Sequence, residues 1–244
     1  MNLGLSLLTA GRVLRQLRED HRTIAMLLLV PCVLIGLLAW IYQGTPVFNQ
    51  IGPALLGVFP FVVMFLVTSI ATLRERTSGT LERLLTTPLG KGDFMLGYAV
   101  AFALIAVVQA VIAVAFAVYV CGLEIRGPLW QLVAVAVFDA VLGSALGLLA
   151  SGFARTEFQA VQFMPAFVLP QFLLCGLLTP RDSLPTVLSW LSDILPLSYA
   201  VDAMKAVQAS ADPGGEVLRN LGIILGFVAI ALLLGSLTLR RRTP

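Results

Sequence analysis

Charge is what this sequence has least of. Of its 244 residues only 29 are acidic or basic, 12% of the chain, against roughly 25% in a soluble domain. That scarcity excludes a disordered chain and a nucleic-acid-binding surface. Histidine occurs once, at His21, so a His-based metal site or a Ser-His triad has no second member to build on. Cys32, Cys121 and Cys175 stand apart in apolar runs. Without a CxxC pair they exclude a disulfide scaffold and read as small core residues. A phosphate-binding G-x-x-x-x-G-K-[ST] loop is missing too. Before Gly90-Lys91 the required glycine is Leu85, and the residue that follows is Gly92. The chain therefore has no ATPase site of its own and is not expected to be an enzyme.

Apolar residues fill the space: 59% of the chain belongs to the hydrophobic classes, more than a soluble fold of this size can cover. The expected class is an all-α polytopic membrane protein. A bilayer core of about 30 Å needs about 20 apolar residues in a helix. The 51 residues between Arg22 and Arg74 carry no charge, which suits two spans joined by a turn. Six spans follow, at about 24–42, 54–73, 94–120, 129–153, 158–179 and 218–239, within a single transmembrane domain of 1–244. Strands are excluded because an isolated strand cannot satisfy its backbone in lipid, and the alternation of a membrane barrel is missing. Pro31, Pro165 and Pro170 fall inside spans, where kinks are tolerated.

Lys and Arg set the orientation. One side collects Arg12, Arg15, Arg18, Arg22, Arg74, Arg76, Arg83, Lys91, Arg155 and Arg240–Arg242, 12 of the 16 cations. The other has Arg126, Arg181, Lys205 and Arg219. Both termini are expected in the cytoplasm. The apolar run after Arg22 is too long for a cleavable signal peptide. Residues 1–22 read as an interfacial helix, with Leu3, Leu7, Ala10, Leu14 and Leu17 on one face; the alternative is a plain basic tail.

Two connections have more structure than a loop needs. Residues 77–88 carry an N-cap at Thr77-Ser78-Gly79, an acid in the first turn at Glu82, and a stop at Pro88. The two-turn helix between them, with Leu81, Leu84 and Leu85 on one side, is too short to stand alone. It packs either on its own span ends or into another protein. In the longer connection, Leu184, Val187, Leu188, Leu191 and Ile194 form an amphipathic stripe with Trp190 beside it, closed by Pro196. A second short helix runs from Ser198 to Ala209. Both are too short to span, and Trp190 and Tyr199 suit the headgroup level.

At these connections the chain resembles the membrane subunit of type-2 ATP-binding-cassette exporters, the drug- and antibiotic-resistance branch. Residues 74–88 match Arg-Glu-Arg-x-x-Gly-Thr-Leu-Glu-x-Leu-Leu-x-Thr-Pro, and residues 176–203 match a second pattern ending Leu-Pro-Leu-Ser-Tyr-Ala-Val-Asp-Ala. The resemblance implies a coupling helix in a cleft of a cytosolic ATPase. Its contacts would be Arg74, Glu75, Arg76, Gly79, Thr80, Leu81, Glu82, Leu84 and Leu85. Residues 1–22 would be an elbow helix. Residues 183–208, with Leu184, Leu188, Trp190, Pro196 and Tyr199, would be an outer re-entrant element. Two permeases, identical or similar, would work with two ATPase subunits that bind ATP and Mg, in a bacterial inner membrane. The cargo would be hydrophobic or amphiphilic: a drug, an antibiotic or a lipid. One departure is Tyr98, where the family often has lysine after Gly97.

Asp139 interrupts the fourth span. A charge there costs about 2.5–3.5 kcal/mol, and the small row Gly143, Gly147, Ser151 on its face invites a close helix. It is either a pathway acid or a neutral packing group, and a proton-coupled carrier built on it is the rival function. Gly222 and Gly226 form a second small row expected to pack. Phe59, Phe61 and Phe65 either line a pathway or pack.

Overall fold

A computed structural model describes residues 3–77 and 90–238. Among the described residues there are helices and no strands. In chain order they are α1 (Leu3–Glu19), α2 (His21–Ile41), α3 (Val47–Thr77), α4 (Lys91–Ala115) running into a π turn (Phe116–Val120), α5 (Leu129–Ser151), α6 (Glu157–Leu174), α7 (Thr186–Ile194), α8 (Pro196–Ala209) and α9 (Gly214–Thr238). A 3-10 turn at Arg181–Ser183 precedes α7.

Alpha3 and α5 form the centre. Phe61 and Phe65 on α3 are fully buried, which makes them packing residues, and their carbonyls lie against Gly143 and Gly147 of α5. A methyl group on either glycine would come under 3.0 Å from a carbonyl oxygen. In lipid, apolar burial gives no drive for helices to associate, so contact this close supplies much of the cohesion. The row Gly222, Gly226 on α9 has no such role: nothing lies within 4 Å of a side chain added at either. The expectation that both rows pack is not met by α9 within this chain: its buried face is Asn220, Ile224, Val228, Ala231 and Gly235, the last beside Met95 and Leu149. Alpha1 docks on α4 where Gly97 meets Thr9 and the Ser6 carbonyl.

Among the described residues, five helices are long and apolar enough to cross a membrane: α2, α3, α4 with its π turn, α5 and α9. The expected fifth span, α6, is more polar and ends at Leu174, not 179. Gly176 turns the chain there with φ +88°. Yet α6 runs the length of the bundle. Glu157 at its start pairs with Arg74 at the end of α3, and Gln171 near its finish accepts from the Leu197 N–H at the opposite end. At 1.5 Å per residue its 18 residues measure about 27 Å, close to the thickness of a bilayer core.

The first expected turn is also shorter than its prolines and glycines suggest. It occupies 42–46, and Pro53 lies inside α3, as does Pro60. Pro196 opens α8 at its first turn, where its missing N–H costs nothing, so it both ends one helix and starts the next.

Candidate coupling end and outer cap

The last turn of α3 carries Arg74, Glu75 and Arg76, and all three are tied to other elements. Arg74 donates from Nε and Nη2 to the two carboxylate oxygens of Glu157, at 2.8 and 3.2 Å. Glu75 accepts from Arg12 at 3.3 Å and from Gln16 at 3.0 Å, both on α1. The Arg76 guanidinium donates to the Ser151 carbonyl at the end of α5. The Arg74–Glu157 pair is more than half exposed and is worth about 0–1 kcal/mol, so its value is geometric. Together with buried Leu73 against Ala154 and Ala160, these bonds fix the point from which the chain leaves for residues 78–89. That segment, with Gly79, Thr80, Leu81, Glu82, Leu84 and Leu85, lies outside the described residues. The chain re-enters at Gly90, whose N–H donates to Asp93 Oδ2 at 3.2 Å ahead of α4.

Tyr98 explains itself here. Its buried hydroxyl lies 3.1 Å from Arg12 Nη2, so the position where a lysine is common holds an acceptor for an arginine of α1. Arg12, Gln16, Tyr98 and Glu157 were not legible as partners of this turn. The departure at Tyr98 was the one available signal.

At the other end, Arg181 gathers the outer connection. Its guanidinium pairs with Asp193 of α7 at 2.5 Å and with Asp202 of α8, and stands 5.5 Å over the Tyr199 ring. Tyr199 donates to the Asp193 carbonyl at 2.6 Å. Ser192 donates to the Leu174 carbonyl at 2.8 Å, and Lys205 Nζ to that of Gly176 at 2.5 Å. The two short helices differ in setting. Alpha8 is buried along Leu197, Val201, Met204 and Val207. Alpha7 keeps Leu188 at the surface, with Val187, Trp190 and Ile194 more exposed still, while Leu184 just before it is half-buried. The sequence stripe is real, but it faces outward from the bundle. Pro196 is buried at the joint between them.

Asp139 is fully enclosed, where α3, α5 and α8 meet. Its Oδ2 would be 3.9 Å from a methyl on Gly57, a point also bordered by Val201 and Met204. Neither carboxylate oxygen has a hydrogen-bond partner among the described residues. A carboxyl in such a place stays only if it is neutral or finds a partner on a change of state.

Comparison with known proteins gives this arrangement a family. The ABC-2 type transporter family matches residues 4–209. The protein named Probable multidrug ABC transporter permease YbhR, from Escherichia coli K12, is 30% identical over 155 residues, 64% of this chain and 42% of that one. The Linearmycin resistance permease protein LnrN of Bacillus subtilis is 27% identical over 182 residues, 74% of this chain and 47% of its own. ABC transporter G family member 20 of Dictyostelium discoideum is 26% identical over 157 residues, 64% of this chain and 22% of its own. The chain thus spans less than half the length of these relatives. The family match covers most of the chain from α1 to α8 and includes both tethered ends, so the chain belongs to the ABC-2 type transporter family.

Proposed function

We propose that the chain is the membrane subunit of an exporter that moves a hydrophobic or amphiphilic molecule, a drug, antibiotic or lipid, out of the cytoplasm. ATP is hydrolysed by a separate cytosolic ATP-binding-cassette subunit that binds ATP and Mg. Two such subunits act with two permeases, identical or similar. The observation that carries the reading is the tethered end of α3. Three consecutive polar residues hold it to α1, α5 and α6, so a force applied to residues 78–89 reaches three other helices. The family match and the printed names of its relatives support the same reading.

In this reading residues 77–88 are the coupling helix, α1 is the elbow helix, and α7 with α8 caps the outer end as a re-entrant pair. Six helices cross a bacterial inner membrane, and both termini are cytoplasmic. The support is the placement of 12 of the 16 cations at one end of the sequence-derived topology. Closure of the ATPase pair pushes the coupling helix, and the bundle alternates between two packed states.

The test is co-purification of the whole chain in mild detergent, with bound chains identified by mass. A stoichiometric P-loop ATPase, lost on replacing Leu81 and Leu84 by Asp, is the expected result. An intact chain that purifies alone in several detergents overturns the reading. Asp139, buried and without a hydrogen-bond partner among the described residues, favours a proton-coupled carrier as the second reading. Glu82→Ala should stop an ATP-driven exporter and spare that carrier, and Asp139→Asn should do the reverse.

A further inference from the structure

A cavity of about 610 Å³ opens between α1, α2 and α3, with Tyr98 of α4 at its back. Its α3 wall is Val63, Val67, Ile70 and Ala71, ending at Arg74 and Glu75. From Val63 to Arg74 is 11 residues, about 16 Å along a helix. That is one leaflet of a bilayer core of about 30 Å. The wall is apolar from mid-membrane to its charged end, and Met26 on the α2 side is 64% exposed, so the cavity opens sideways toward lipid. Its size lies within the range of small-molecule sites, about 300–1,000 Å³.

The mouth carries charges of both signs on facing elements: Asp20 ahead of α2, and Arg74 and Glu75 on α3. Asp20 and Arg74 both line the cavity, yet among the described residues they form no ion pair together. Arg74 holds Glu157 on one side while its side chain stays 58% exposed. The other charged group at the mouth, Glu75, is held by Arg12 and Gln16. A net anion would meet Asp20 and Glu75; a net cation would meet Arg74. A headgroup with a phosphate beside an ammonium meets both signs.

We propose that this cavity is a binding site for a zwitterionic phospholipid of the adjoining leaflet. One acyl chain lies along Val63–Ala71, the phosphate is at Arg74 and the ammonium is at Asp20. Only the naming of that leaflet as cytoplasmic rests on the topology proposed above. The site is separate from the enclosed Asp139 and needs no ATPase to fill.

The test places the full chain, without any ATPase, in nanodiscs holding trace phospholipid with a photoreactive diazirine in mid-chain. The probe has either a phosphocholine or a phosphoglycerol headgroup, and cross-linked peptides are mapped by mass. The expected result is labelling of the peptide containing residues 63–74, about fivefold stronger with phosphocholine, a modest difference in affinity. Ala71→Phe, or Val67→Phe if the first variant melts early, should reduce that labelling about fivefold. Arg74→Gln with Asp20→Asn should remove the headgroup preference and leave some labelling. Equal labelling by both probes, or labelling unchanged in the filled variants, overturns the proposal, as does label spread evenly over the lipid-facing helices. A chain that binds the probe and never captures an ATPase would overturn the exporter reading alone.

Discussion

Gly143 and Gly147 show what a single missing methyl does in this bundle. Each sits against a carbonyl oxygen of α3 with no room for a Cβ, and backbone cannot give way as a flexible side chain can. Gly143→Ala or Gly147→Ala should therefore cost about 1–3 kcal/mol through overpacking, read as a fall in the melting temperature in detergent. Gly222→Ala is the matched control. It meets nothing within 4 Å, so stability should hold or rise by up to about 1 kcal/mol from helix propensity alone. Equal losses at the two sites would contradict the assignment of the α3–α5 contact. Both rows have the same spacing in the sequence, and spacing carries no information about what a row faces. At Tyr98 the sequence showed only a departure from a common pattern, and the structure supplied its partner, the guanidinium of Arg12.

At the scale of elements, the caps and joints decide how the helices meet. Asp20 caps α2, accepting from the Thr23 hydroxyl at 2.6 Å and the Thr23 N–H at 3.1 Å. These bonds hold its carboxyl below the ordinary aspartate value. A depressed carboxyl stabilises the fold fully above its unfolded pKa, and that contribution disappears as pH falls through the folded value. Asp20→Ala should cost about 1 kcal/mol at neutral pH. Its melting temperature should converge with that of the parent chain as both are taken down through the acid range. At the outer cap, Arg181→Gln should free α7 while leaving α8 in the bundle, because α8, though it also pairs with Arg181, is buried along Leu197, Val201, Met204 and Val207, whereas α7 is held mainly by Arg181 and a few hydrogen bonds. Hydrogen exchange should quicken across 186–194 and stay slow across 197–207. The existence of these helices was legible in hydropathy, prolines and caps, because each signal is local, but the start of α3 at Val47 and the end of α6 at Leu174 were not. The pairings were not. Arg181 reaches Asp193 and Asp202, 12 and 21 residues away, and Arg12 reaches Glu75 across 63; nothing in the chain marks such partners in advance. The enclosure of Asp139 was legible from its small-residue row, but the helices that enclose it were not.

For the whole molecule, the tethers sort the chain into two ends. Leu73, Arg74, Glu75, Ser151 and Glu157 share one end with α1 and with Thr238, which lies against Gly152. Residues 174–210 hold the other. Single cysteines placed at Thr77 and at Asp182, in a chain whose native cysteines are replaced by serine, should report opposite sides. An impermeant thiol reagent applied to intact cells should label position 182 at once and position 77 only after permeabilisation. Labelling of both from outside would break the six-span topology, with α6 the first helix to reconsider. The π turn at the end of α4, where the Cys121 N–H reaches back five residues to the Phe116 carbonyl at 3.0 Å, holds one residue more than an α-helical turn would. It is followed by a nonhelical stretch before α5. Loss of one codon in 116–120 would restore a regular turn and be absorbed in that stretch. The same loss inside α3 or α5 would rotate every later side chain by about 100° and misplace the glycines that face the carbonyls. Differences in length among relatives should therefore collect at the end of α4.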